Sequence, residues 1–210
     1  MANKDYISDE LLASFLEGEV NKEEMMEVLQ TMENDAELQE VIDVAMRVEG
    51  HVLPMFQMAA ESGRNLCDIK CEAYILQRRN ISYIVEELLD VAKKKKWIRR
   101  EGTPLYCIGK LLEYKGLIVE RTYDATLNDI EEAIKKDEDI IVAVDSDKLY
   151  PERPDDEDLP NHAVVVTDID TEKVSIYDPG SDQVIAIDSS LFLSAWAESH
   201  CYVVKVIEKQ

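Results

Sequence analysis

Three residues whose side chains could act together on a carbonyl group stand far apart in the chain: Cys67, His162 and Asp178. A thiol, an imidazole and a carboxylate supply a nucleophile, a base that takes its proton, and an anion that orients the base. Cys67 lies where a helix should begin, after Gly63-Arg64-Asn65, and a helix N-terminus favours a thiolate. His162 opens the apolar run Ala163-Val164-Val165-Val166 straight after a long loop. Asp178 closes the next run, Val174-Ser175-Ile176-Tyr177, and leads into Pro179-Gly180. Each has a plainer reading too. Cys67 could be a buried structural cysteine, and Asp-Pro-Gly makes a good turn without any catalysis.

A hairpin brings the histidine to the aspartate. If it turns around Asp170, paired residue numbers sum to 340, so Val166 faces Val174 and His162 faces Asp178. His51 and His200 have no such partner in the pattern. Cys71, one helical turn after Cys67, reads as a core cysteine, with a redox couple or a metal pair as the alternative. The spacing matches no standard zinc or dithiol motif, and no cofactor or metal is expected.

The elements that must position these residues change character along the chain. Residues 1–50 read as three short acidic helices. Ser8 can cap the first, Asn21 with Glu24 makes a capping-box-like start for the second, and Asp35 can cap the third. They carry 14 acidic against 3 basic residues, and their narrow apolar stripes need a surface to cover them. That surface is expected to be the chain's own second domain or an oligomer partner. Residues 51–63 look like a crossing segment. Over 64–210 come a helix from Cys67, one over 82–92, one started by Thr103-Pro104 and stopped by Gly116, and one framed by Thr126 and Asp129. Strands follow over 140–144, 162–168, 173–178, 184–187 and 202–207, after an earlier one at 117–123, with a helix over 190–198. Residues 145–160 read as a loop. Helices first and a mostly antiparallel sheet second is an α+β layout.

The net charge of −22 argues against nucleic acid or an anionic membrane as partner, since both would be repelled. No apolar stretch is long enough for a bilayer, and the start shows no secretory signal. A cytoplasmic protein with four reduced cysteines is expected.

From about residue 60 to 207 the chain resembles the bacterial papain-like cysteine peptidases of the bacteriocin-processing type, which cut leader peptides after paired glycines. The helix from Cys67 to Asn80-Ile81, the strand His162-Ala-Val-Val-Val and the turn Tyr177-Asp178-Pro179-Gly180 carry the resemblance. It implies a papain-like fold with an N-terminal helical appendage, and a thiol-dependent peptidase or amidase acting on a peptide or protein through Cys67, His162 and Asp178. Members of the family place a glutamine six residues before the nucleophile to complete the oxyanion hole, where this chain has Glu61. Gln57, Asn65 or a backbone N–H is the expected substitute. A catalytically inactive peptide binder, or a regulatory protein working through its acidic helices, is the alternative. Residues 1–50 resemble, more loosely, the acidic helical segments that begin bacterial anti-sigma factors.

Overall fold

A computed structural model describes residues 7–17, 20–35, 38–39, 41–42, 66–98, 102–152 and 161–207. The chain divides into two compact units, residues 1–56 and 57–210.

In the first unit, helix α1 (Asp9–Glu17) packs on α2 (Lys22–Asn34). Both start as their caps dictate. Ser8 Oγ accepts the Leu11 N–H at 3.1 Å. Asn21 and Glu24 each accept the other's backbone N–H, at 3.1 and 2.9 Å, so two otherwise orphaned donors are satisfied together. Phe15, Val28, Leu29 and Met32 are buried. Asp35 Oδ1 accepts the Leu38 N–H at 3.1 Å, and residues 38–39 and 41–42 are helical.

The second unit is built on a six-stranded, wholly antiparallel sheet in the order β1-β6-β2-β3-β4-β5. Its strands are β1 (Ile118–Thr122), β2 (Asp139–Asp145), β3 (Asn161–Ile169), β4 (Lys173–Asp178), β5 (Gln183–Asp188) and β6 (Val203–Ile207). Side chains alternate between two faces of a strand, and both faces of the central strands are covered. Ile141, Ala143, Ala163 and Val165 join one core with helix α3 (Cys67–Arg78), α4 (Val85–Lys94) and α5 (Lys110–Tyr114). Ile140, Val142, Val164 and Val166 join the other, with α6 (Leu127–Lys135) and α8 (Ser189–Ala197), the latter contributing Phe192 and Trp196. Burial on both sides explains why β2 and β3 read as unbroken apolar runs instead of alternating ones. The layout is the α+β architecture expected from the sequence.

Three local expectations differ. The helix expected after Thr103-Pro104 is interrupted: a 3-10 turn, Leu105–Cys107, precedes α5, because Gly109 between them takes φ +85. A Cβ there would be strained at that φ and would stand 2.9 Å from Val204 Cγ1, so the chain gains close contact with β6 at the cost of a continuous helix. The stretch after β2 begins with a short helix, α7 (Ser146–Leu149), capped by Asp145. The β3–β4 hairpin has a different register. Val166 faces Ile176, and an irregularity at Thr167 puts Asp168 opposite Ser175. The turn closes on Asp170, whose carboxylate accepts the N–H groups of Glu172 and Lys173.

Candidate functional site

The register difference moves the pairing by two residues, and two residues preserve the face. His162 therefore has Asp178 as a diagonal neighbour on its own side of the sheet, not a direct partner. Diagonal neighbours remain within reach of long side chains. His162 Nε2 and Asp178 Oδ1 lie 2.7 Å apart. Because β3 begins where β4 ends, both residues stand at one end of the sheet. The first turn of α3 reaches the same end, and the Cys67 thiol lies close enough to the imidazole to act on its charge. With Nε2 taken by Asp178, the ring offers the thiol its Nδ1. All three residues singled out in the sequence thus come together.

Asp178 is fully buried. Burial alone would raise its pKa, but the His162 hydrogen bond and the Gly180 N–H outweigh it and hold the carboxyl far below the usual carboxylate range. Gly180 N–H donates to Oδ1 at 2.9 Å and the Ser181 hydroxyl to Oδ2 at 3.1 Å. A Cβ on residue 180 would stand 3.1 Å from Oδ1, so a glycine lets the backbone come this close. Burial disfavours the charged imidazole, yet the hydrogen bonds to Asp178 and Cys67 prevail and raise His162 to about 9. The arrangement can deliver a nucleophilic sulfur and a proton to one carbonyl group.

The pair has a stability signature with a defined sign. Asp178 contributes stability above its ordinary value of 3.8 and loses it as pH falls well below. His162 contributes fully below 6.5 and loses the contribution as pH rises through about 9, so the pair helps most between those limits. Urea midpoints measured across pH should fall on both sides of that window. His162→Gln should flatten the alkaline fall, and an unchanged alkaline slope would refute the coupling.

Other neighbours gave no signal in the sequence. Lys70 Nζ donates to Pro179 O at 2.9 Å, tying the nucleophile helix to the aspartate turn. The Tyr150 ring faces His162 with centroids 6.5 Å apart. Tyr74 of α3 stacks on Tyr177 at 4.0 Å. Cys71 is fully buried and donates to Ala163 O at 3.3 Å, which is the core role. Among the described residues no group of three or more His, Cys, Asp or Glu side chains could hold a metal ion, and no helix is long and apolar enough to cross a membrane. Gln57, Glu61 and Asn65 lie outside the described residues, as does the crossing segment.

No family model and no curated protein matches the sequence. Solved structures do match the fold. One is a Bacillus anthracis protein described as a C39-like peptidase, with TM-score 0.54 and 13% identity over 76% of this chain and 98% of that one. Another is the peptidase domain of Streptococcus ComA, a bifunctional ABC transporter of a quorum-sensing pathway, with TM-score 0.52 and 15% identity over 73% of this chain and 99% of that one. The fold of this chain is that of the C39-like, papain-like cysteine peptidases.

Proposed function

We propose that the chain is a thiol-dependent hydrolase of peptide or amide bonds. The observation that carries this reading is the series Cys67, His162, Asp178, with 2.7 Å between the last two and the sulfur on the ring's other side, at a helix start. Cys67 attacks the carbonyl carbon. The oxyanion that forms is met by backbone N–H groups at the start of α3. His162 gives its proton to the leaving amine, then takes one from the water that opens the thioester. Asp178 holds the ring's tautomer and stabilises its charge.

The substrate class is a peptide or protein, in keeping with the peptidase domain of the ABC transporter that shares the fold. A reducing compartment such as the bacterial cytoplasm suits a reaction that needs a reduced thiol, and no disulfide joins the four cysteines. The test is iodoacetamide labelling near neutral pH, read by mass spectrometry, beside cleavage of a peptide library. Cys67 should label faster than Cys71, Cys107 and Cys201, and prior labelling should stop cleavage. Fast labelling without cleavage of any peptide would favour an inactive peptide binder, and faster labelling of Cys107 or Cys201 would remove the nucleophile assignment.

A further inference from the structure

The six-stranded sheet ends in two edges, and charges guard one of them. β1, at one end of the strand order, carries Glu120 and Arg121, with Lys205 of β6 3.4 Å from Glu120. Charged side chains of this kind discourage an edge from pairing with another chain. β5, at the other end, reads Gln183-Val184-Ile185-Ala186-Ile187-Asp188, with no lysine, no proline and an unbroken register against β4. Among the described residues no strand pairs with its outer side.

The register fixes which backbone groups are left over. Ser189 N–H donates to Glu172 O at 2.8 Å, so residues 172 and 189 continue the β4–β5 ladder as a hydrogen-bonded pair. Such pairs alternate along an antiparallel ladder. Gln183, Ile185 and Ile187 therefore bond to β4, while Val184, Ala186 and Asp188 turn their backbone groups outward. The side chains of those three are exposed, Val184 by 53%. Ile185 and Ile187, on the other face, are half-buried against the core that holds Phe192 and Trp196. Helix α8 follows directly and packs on β5. Its exposed positions, Ser190, Leu193, Ser194 and Ala197, are uncharged. In a chain with 32% charged residues, Asp188 is the one charge between Val184 and Ala197. Its carboxylate is occupied at the start of α8, accepting the Ser190 and Leu191 N–H groups at 2.9 and 3.4 Å.

Net charge selects the occupant of this edge. A chain at −22 repels its own copy over most of its surface, and a basic partner would be drawn to the acidic surface instead. A second copy can approach where charge is absent. We propose that β5 is a dimerisation edge, on which two copies pair β5 with β5, antiparallel about a twofold axis, and join their sheets into one. Outward groups must meet outward groups. An axis at Ala186 does this and pairs Val184 with the partner's Asp188. An axis at Ile185 would set Asp188 against the partner's Asp182, two like charges, so the axis lies at Ala186. The proposal does not depend on the hydrolase reading.

The experiment is sedimentation equilibrium of the full chain from about 1 to 100 μM, at low and high salt. The mass should rise towards twice the 24.0 kDa of one chain. High salt should strengthen the association, because it screens the repulsion and the contact holds no ion pair. Ala186→Lys sets two like charges face to face across the axis and should weaken the dimer at least about tenfold, with thermal melting of the chain unchanged. Should it not fold, Val184→Glu, opposite the partner's Asp188, serves the same end. The register has its own readout. Ala186→Cys, with about 5.5 Å between the paired Cα atoms, should form an intermolecular disulfide with oxidised glutathione. Val184→Cys, about 14 Å from its twin along the strands, should not, and neither should the wild type. A monomer at every concentration would overturn the proposal and leave the edge to an extended peptide. A dimer indifferent to both charge variants, cross-linking through Val184→Cys instead, or a dimer that salt dissociates would overturn it as well. The last result would assign the contact to the exposed lysines 93–96 on an acidic surface.

Discussion

Cys67→Ala is expected to bring peptide cleavage to background, a fall on the order of 10⁴- to 10⁶-fold in kcat/KM. Without the sulfur no thioester can form, and the remaining imidazole has only water to activate. His162→Ala should cost about as much, because the thiol then loses its proton acceptor and the leaving amine its proton donor. The two act as a unit, so the double variant should be no worse than either single one. Folding should hardly notice the cysteine change: Cys67 is small, and its surroundings are the rim of a core whose bulk lies deeper in α3, at Ile69, Ile75 and Leu76. Steady-state rates with a cleaved peptide, beside urea unfolding of each variant, check both halves. Retention of a hundredth of the wild-type rate by Cys67→Ala would exclude nucleophilic catalysis by this residue.

Much of this site was legible because each residue sits at the end of an element, and element ends leave strong marks in sequence. The apolar run after His162 and the Asp-Pro-Gly turn located two strand ends on their own. Capping residues located helix starts equally well at Asn21 and Thr126. The hairpin register was legible only in its parity. One irregular residue, Thr167, and a turn held by the Asp170 side chain moved the pairing by two positions, and nothing in a run of valines encodes such a shift. The broken helix after Pro104 was missed because Gly109 answers to β6 packing, which is a tertiary demand. The burial of Asp68 and Glu72 was not legible for a related reason. Two acids on a helix read as a solvated face until the elements covering them are known, and here the cover comes from Thr103, Leu112 and Arg121, between 31 and 53 residues downstream.

Asp178 separates orientation from charge. In Asp178→Asn the new amide has one favoured pose. The Gly180 N–H and the ring N–H of His162 can only donate, and both point at Oδ1, at 2.9 and 2.7 Å. The Ser181 hydroxyl beside Oδ2 can donate or accept. The amide oxygen must therefore take the Oδ1 position and its NH₂ the side facing Ser181. That pose preserves the tautomer of His162 and keeps Nδ1 free for the thiol. Only the negative charge is lost. A hydrogen bond to a charged group is worth about 1.5–3 kcal/mol, so kcat/KM should fall roughly 10- to 100-fold. The pKa of His162 should drop from about 9, since the anion beside it is gone. Asp178→Ala removes the acceptor altogether. The Gly180 N–H, the Ser181 hydroxyl and the ring N–H then lose a common partner that is itself fully buried. The ring is free to turn, and activity should fall by on the order of 10³-fold or more. Each of the three lost hydrogen bonds also costs stability, about 0.5–1.5 kcal/mol, so the alanine variant should unfold at lower urea than the asparagine one. Rates, pH profiles and urea midpoints of the two variants decide the matter together. Equal losses for asparagine and alanine would mean that Asp178 acts through its charge alone and that the orienting hydrogen bond contributes nothing.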